Sequence, residues 1–274
     1  LKTCSFAISI MMFLSFQVMV VFLDQGMPAL APSAADVSIT MGNSTLNGRL
    51  IDELSLIDGV DKVFGRMEKA DMSVSTGNGD GTVTLISYDD VQFQWAKEDL
   101  NKGSITDVQN DTVSVLMTYQ DEVNWNIGDT LTLHTSAGDK TVTIAGILST
   151  TNAVNHAGNF GYMICSEPMF VEIVGESGYT AIDVQFLNSG DDVTASEIRN
   201  LVPKDSSVSD KRLTNSEAQS SYYTGAVFIY GFLIIIALIT VFNIFNSMNA
   251  SVASRTKQYG IMRSIGMATE QLYK

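Results

Sequence analysis

GAVFIYGFLIIIALITVFNIFNSMNASVASRTKQYGIMRSIGM, residues 225–267, decides how this chain is organised. No charged residue stands between Glu217 and Arg255, and the apolar run from Tyr223 to Met248 passes directly into the basic segment 255–267. At about 1.5 Å rise per residue, roughly 20 residues cross the ~30 Å hydrocarbon layer, where each backbone amide must be satisfied inside its own helix. The stretch therefore predicts a membrane-spanning helix. A central helix of a soluble core seldom stays charge-free for so long, because one face of it meets water.

Working outward, residues 4–23 (CSFAISIMMFLSFQVMVVFL) form a second charge-free run, with Lys2 on its inner side. A secretory signal is the rival reading, since Ala29-Leu30-Ala31 resembles a cleavage site, but the run is long and Pro32 follows directly. Gly26, Pro28 and Pro32 end the helix. Charge separates along the chain: residues 24–222 hold 11 Lys/Arg and 29 Asp/Glu, a net of −18, within a total of −14. Basic residues flank the spans and the acidic block lies between them, so the positive-inside rule puts both ends in the cytoplasm and residues 26–222 outside. So acidic a block lacks the positive surface that nucleic acid requires. The only cysteines, Cys4 and Cys165, give no disulfide framework, so about 200 exterior residues must hold themselves by their own core, as two subdomains. The chain begins and stops inside helical patterns, which reads as a piece of a longer protein.

Within the exterior block the periodicities predict an α+β domain. Asp36 to Met41 alternates as a strand, and Asn43 or Ser44 caps a helix carrying Leu46, Leu50, Ile51, Leu54 and Ile57. Val60 to Ser75 reads as one extended strand, turning at Gly77–Gly81 into Thr82–Ser87. The TGNGDG turn lacks the leading Asp and distal Glu of a calcium loop, so a hairpin is the better reading. A helical patch over 88–100, a strand over 112–117, a polar helix ending near Trp125 and strands over 130–134 and 140–148 suggest an antiparallel meander. Ser149 to Asn159 reads as a mobile loop. A strand over 160–165, a helix opened by Ser166-Glu167-Pro168, a strand over 181–187 and a capped helix over 191–202 complete the block. From Thr214 no breaker intervenes before Gly225, so stalk and span read as one rod over 214–254, with Tyr222, Tyr223 and Tyr230 at the outer interface.

Chemistry-bearing patterns are sparse. There is no GxxxxGK[ST] phosphate loop and no nucleophile elbow, His134 and His156 lack metal-ligand spacing, and Asp89-Asp90 and Asp191-Asp192 look like helix starts. No catalytic residue, metal ligand or cofactor site is assigned. Asn243, Asn246 and Ser247, with Ala250 and Ser254, share about a third of the helical circumference. Amides are costly against lipid, so this stripe is expected to face other helices. Beyond Gly260 the pattern becomes amphipathic, with Ile261, Ile265, Ala268 and Leu272 opposite Arg263, Glu270 and Lys274. Such a helix either lies on the inner leaflet or docks in a partner's groove.

The segment NIFNSMNASVASRTKQYGIMRSIGMATEQL resembles the characteristic segment of FtsX-like, MacB-type ABC transporter permeases. Arg255, Gln258, Tyr259, Gly260, Ile261, Met262, Arg263, Ser264, Ile265 and Gly266 follow that family's ordered pattern, with Gln258 and Met267 in place of the commoner Glu and Ala. Both departures, with Gln271-Leu272, resemble the Gram-positive variant. The resemblance implies a first span over 1–25 and an exterior domain over 26–213, made of a mixed porter-like part plus a mostly β insert. After the stalk and second span it implies a coupling helix over 255–274 that docks on an ABC ATPase through Arg255, Tyr259, Gly260, Ile261, Arg263, Ile265, Gly266 and Leu272. It also implies a second permease unit or repeat, a place in the cell membrane, and ATP-driven movement of the exterior domain. The work done would be export or removal of a peptide, lipoprotein or other amphiphile, with an extracytoplasmic partner. The alternatives are activation of an exterior cell-wall hydrolase and a membrane-anchored sensor without an ATPase.

Overall fold

Alternating side chains at Val37, Ile39 and their neighbours build strand β1 (Val37–Thr40), the seed of a four-stranded antiparallel sheet. In this computed structural model residues 10–18, 31–42, 44–77, 79–120, 123–136, 138–151 and 153–264 are described. Ala31–Asn215 form one compact unit, and the apolar helices form another.

The small sheet runs β11 (Ser207–Asp210), β1, β10 (Ala181–Phe186), β2 (Val60–Arg66). Val37 pairs with Val184 and Asp210, so three strands meet at the end where the chain enters and leaves this unit. One face is covered by α2 (Arg49–Ser55) and α6 (Asp192–Leu201), which bury Leu50, Leu54, Ala195 and Ile198 against Val37, Ile39, Ile182 and Val184. Each fully buried Leu or Ile there contributes about 1.5–3 kcal/mol. Helix α2 starts later than the apolar spacing predicts. Gly48 is its N-cap, Asn47 accepts the Arg49 amide, and Leu46 is extended, bridged to Tyr179. Asn43 lies outside the described residues.

Val60 to Ser75 is not one strand. It breaks at Met67, β2 staying in the small sheet while β3 (Glu68–Thr76) enters a second, seven-stranded sheet. Ser87 fixes the crossing: its hydroxyl accepts the Met67 amide at 3.0 Å, and its own amide donates to the Met67 carbonyl at 2.9 Å. A bulge between Lys69 and Met72, with Asp71 at φ 54°, then re-aims β3.

The second sheet is ordered β5 (Leu100–Gly103), β8 (Gly138–Leu148), β6 (Ser114–Thr118), β9 (Tyr162–Ser166), β4 (Gly79–Tyr88), β3, β7 (Thr130–Thr135). Because β7 also pairs with the first half of β8, six of these strands close into a barrel with β5 on its rim. It is mixed rather than a meander, since β4–β9 and β6–β8 are parallel. Its interior holds Val74, Val83, Leu85, Met117, Leu131, Leu133, Ile144 and Met163, and α5 (Glu167–Val174) adds Met169, Phe170 and Ile173. Outside, α3 (Asp90–Trp95) and α4 (Thr106–Asn110) cover Ile86, Leu116 and Ile164. Asp89 caps α3 in a capping box with Gln92. The polar helix expected to end near Trp125 is absent among the described residues; Gln120 and Val123 bridge there instead. The expected free loop over 149–159 is tied down: both Val154 and Asn155 amides donate to the Glu68 carboxylate, and Thr84 Oγ1 donates to the His156 carbonyl.

The long helix α7 (Arg212–Ser264, 53 residues) has its first turn, Arg212–Asn215, in the unit of the sheets and lies in the other unit from Ser216 onward, where residues 10–18 are also helical (α1).

Candidate functional site at the two ends of helix α7

Helix α7 starts in a clamp of charged side chains. From Arg212, Nε and Nη2 donate to the two carboxylate oxygens of Asp210 at 2.9 and 2.8 Å, a parallel fork. Nη1 donates to the carbonyls of Asp191 and Ser189 at 3.0 and 3.3 Å, Nη2 also reaches Asp192 at 3.0 Å, and the guanidinium lies 5.6 Å from the Phe186 ring centre. The first residue of α7 thereby holds β11, the end of β10 and the start of α6 together. Arg212 hydrogen bonding keeps the Asp210 carboxyl below the usual carboxylate range, and the guanidinium's own pKa rises in turn. Nearby, Asp191 caps α6 through the amides of Val193 and Thr194; the Thr194 hydroxyl, then those amides, hold its carboxyl low. Gly59 makes room for this cap at φ 89°, since a Cβ there would meet Thr194 Oγ1.

Further along, Ile229, Leu233 and Ile236 are buried and Thr240 is half-buried, a three-four spacing that draws one seam down α7. Phe16 of α1 packs on Phe232 beside that seam, ring centres 5.8 Å apart. The same spacing continues through Asn243, which is exposed, to Ser247, which is half-buried. Asn246 is exposed beside them. By spacing alone Asn243 and Ser247 fall on the continuation of this line, and Asn246 does not.

The helix does not stop where the coupling helix was expected to begin. It runs through Arg255, Tyr259, Gly260, Ile261 and Arg263 to Ser264 without a break. Arg255 is exposed, and Ile261 is 57% exposed. Ile265, Gly266 and Leu272 lie outside the described residues. Over Arg212–Thr256 the most apolar window has a mean hydropathy of 2.7, so α7 is long and apolar enough to cross a membrane.

No group of three or more His, Cys, Asp or Glu among the described residues could hold a metal ion. Each histidine has one carboxylate partner, His134 with Asp139 at 2.8 Å and His156 with Asp71 at 3.2 Å. Ser75 Oγ lies 2.7 Å from His134 Nε2, but Ser75 sits within β3, paired on both sides with Asp80 and Thr132. A serine inside a ladder offers no free backbone amides for an oxyanion, so the trio is a surface hydrogen-bond chain.

Reading the chain alone missed the Arg212 clamp. Asp210-Lys211-Arg212 looks like a solvated charge run, and the carbonyls it binds come from about twenty residues upstream.

Residues 230–274 match the FtsX-like permease C-terminal family, overlapping the segment on which the resemblance rests. No curated protein matches the chain significantly. Among solved structures, the chain is similar to the periplasmic region of MacB from Actinobacillus actinomycetemcomitans, at 13% identity and a TM-score of 0.49, covering 67% of this chain and 92% of that one. It is similar also to the extracellular domain of the noncanonic ABC-type transporter YknZ from Gram-positive bacteria, at 14% identity and a TM-score of 0.46, covering 63% and 98%.

Proposed function

We propose that this chain, whose residues 230–274 match the FtsX-like permease family, is part of an ABC transporter permease in the cell membrane, with α7 transmitting movement to an extracytoplasmic domain. The observation that carries the reading is one unbroken helix with a clamped root and a family-matching end. A helix of 53 residues spans about 80 Å at 1.5 Å per residue, which exceeds the bilayer and leaves turns on both sides. Residues 26–213 are the extracytoplasmic domain, 214–254 the stalk and second span, and 255–274 the contact with a cytoplasmic ATPase. Residues 1–25 are the first span, so both ends are cytoplasmic.

In this reading Arg255, Tyr259, Gly260, Ile261, Arg263, Ile265, Gly266 and Leu272 meet the ATPase. Asn243, Asn246 and Ser247 meet helices of the same permease or of a second unit, because an amide that stays in hydrocarbon needs a partner. The chemistry of ATP hydrolysis belongs to the partner, and this chain supplies the lever. Amphiphiles such as peptides or lipoproteins are the cargo class that suits a domain working at the outer surface of the bilayer.

The test is charge reversal of Arg255 and Arg263 in the permease co-expressed with its ATPase. Recovery of the ATPase on the purified permease is expected to fall about tenfold, a loss of ~1.4 kcal/mol in association. Unchanged recovery and unchanged ATPase stimulation would show that the segment is not the coupling surface.

A further inference from the structure

Arg66, Glu68 and Asp183 place two carboxylates and one guanidinium at the junction of the two sheets, with side chains only 6%, 0% and 3% exposed. Arg66 Nη2 meets Asp183 Oδ2 at 2.8 Å within the small sheet, and its Nε lies 3.7 Å from Glu68 Oε1 on the barrel side of the Met67 crossing. Among the described residues, Arg66 Nε and Asp183 Oδ1 have no hydrogen-bond partner. A buried, half-satisfied cluster of this kind stabilises a fold no better than well-packed apolar side chains of similar volume. Its contribution therefore lies in what it positions.

What it positions is the 153–159 segment. The Glu68 carboxylate accepts the Val154 amide at 2.8 and 3.1 Å and the Asn155 amide at 2.8 Å, so a fully buried charge on β3 fixes an outer segment about 86 residues downstream. Upstream, the line runs back to the root of α7. Arg212 stacks on Phe186, which packs with Ile182 and Val184 on one face of β10, while Asp183 on the other face holds Arg66, so the strand itself is the link.

We propose that Asp183, Arg66 and Glu68 form a coupling route inside the exterior domain, which makes the 153–159 segment the surface where displacement of the α7 root is delivered. The direction of that traffic rests on the lever reading of α7; the coupling itself does not. Spatial continuity alone is not coupling, since each end must change the free energy of the other. Among the described residues the Asp183 side chain pairs with Arg66 and shares no hydrogen bond or ion pair with 153–159, so the cluster is the polar link between them.

Hydrogen-deuterium exchange of the full chain in lipid nanodiscs, read on the peptide covering 153–159, tests this. Asp183→Asn is expected to accelerate exchange there about fivefold or more, while peptides from β8 keep wild-type rates. Glu68→Gln should accelerate it at least as much. Exchange within about twofold of wild type in Asp183→Asn, with acceleration in Glu68→Gln, would mean that Glu68 holds the segment locally and overturns the route. Equal acceleration in β8 would indicate general loss of stability and overturns it as well. If Asp183→Asn does not fold, the apolar replacement Arg66→Met/Glu68→Leu/Asp183→Leu serves instead. It should fold and still exchange fast over 153–159, and retained protection there refutes the proposal. None of these outcomes alters ATPase recovery with the Arg255 and Arg263 variants, so the two ideas fail separately.

Discussion

Replacing Arg212 with Ala removes five guanidinium hydrogen bonds and the stacking on Phe186 at once, and their sizes differ widely. The Asp192 pair counts for almost nothing, because the Asp192 side chain is 90% exposed and solvent screens it. The fork to Asp210 is stronger, with side chains 14% and 23% exposed, but Arg199 also reaches Asp210 at 2.9 Å and compensates part of its loss. With the two carbonyl bonds and the ring included, and with discount for partial exposure, the change costs about 2 kcal/mol. Both tryptophans, Trp95 and Trp125, lie in the Ala31–Asn215 unit, so urea unfolding of the solubilised chain followed by tryptophan fluorescence reports that unit. With a slope near 2 kcal/mol/M, the midpoint should fall by about 1 M. The sign with pH follows from Asp210. Its folded pKa is depressed by Arg212, so the Asp210 share of the clamp's stabilisation is complete above the usual carboxylate range and is lost as pH falls through the folded value. The gap between wild type and Arg212→Ala should hold at about pH 6 and narrow well below about pH 4, keeping the part due to the carbonyl bonds and the Phe186 ring. A shift under about 0.2 M, or a gap that ignores acid, would refute the clamp.

Other consequences are as direct. Gly59→Ala should lower stability by about 1–3 kcal/mol in the same assay, since the backbone is at φ 89° and the new methyl meets Thr194; an unchanged midpoint would show that the cap is not constrained there. Burial pushes the Cys165 thiol far up, so in a Cys4→Ser background a maleimide should label the folded chain negligibly at neutral pH and fully in urea. Burial, then the nearby Asp89 and Asp90, raise the pKa of Glu167 despite the Tyr179 hydrogen bond. Its ionised form thus costs stability at neutral pH, and the cost shrinks as pH falls through the raised value and is gone below the ordinary carboxylate value. Glu167→Gln should raise the urea midpoint at neutral pH and lose that advantage in acid, whereas a lower midpoint at neutral pH would show that the carboxylate is needed as such.

The elements legible in the sequence are those whose signal is local. β1, β10, α5 and α6 appear where alternation, Pro168 and the Asp191 cap predict them, because a strand's buried face and a helix's first turn are set by residues two to four apart. Ser207–Asp210 carries too few apolar residues to announce a strand, yet it forms β11 by pairing with β1. Met67 is invisible as a boundary, since extended sequence runs through it and only Ser87, twenty residues later, makes the break.

The same division holds along α7. Its apolar length, its charge-free window and the ordered residues from Arg255 to Gly266 are properties of the sequence by itself, because the cost of burying charge and amide in hydrocarbon depends on composition along one helix. That the helix passes Gly260 unbroken, that Ile229, Leu233 and Ile236 form its buried seam while Asn243 is exposed, and that Arg212 locks into Asp210, Ser189 and Asp191 were decided only by the tertiary structure. Hydrogen bonds and buried ion pairs join residues far apart in sequence, and their strength depends on distances and exposure that no pattern of neighbours encodes.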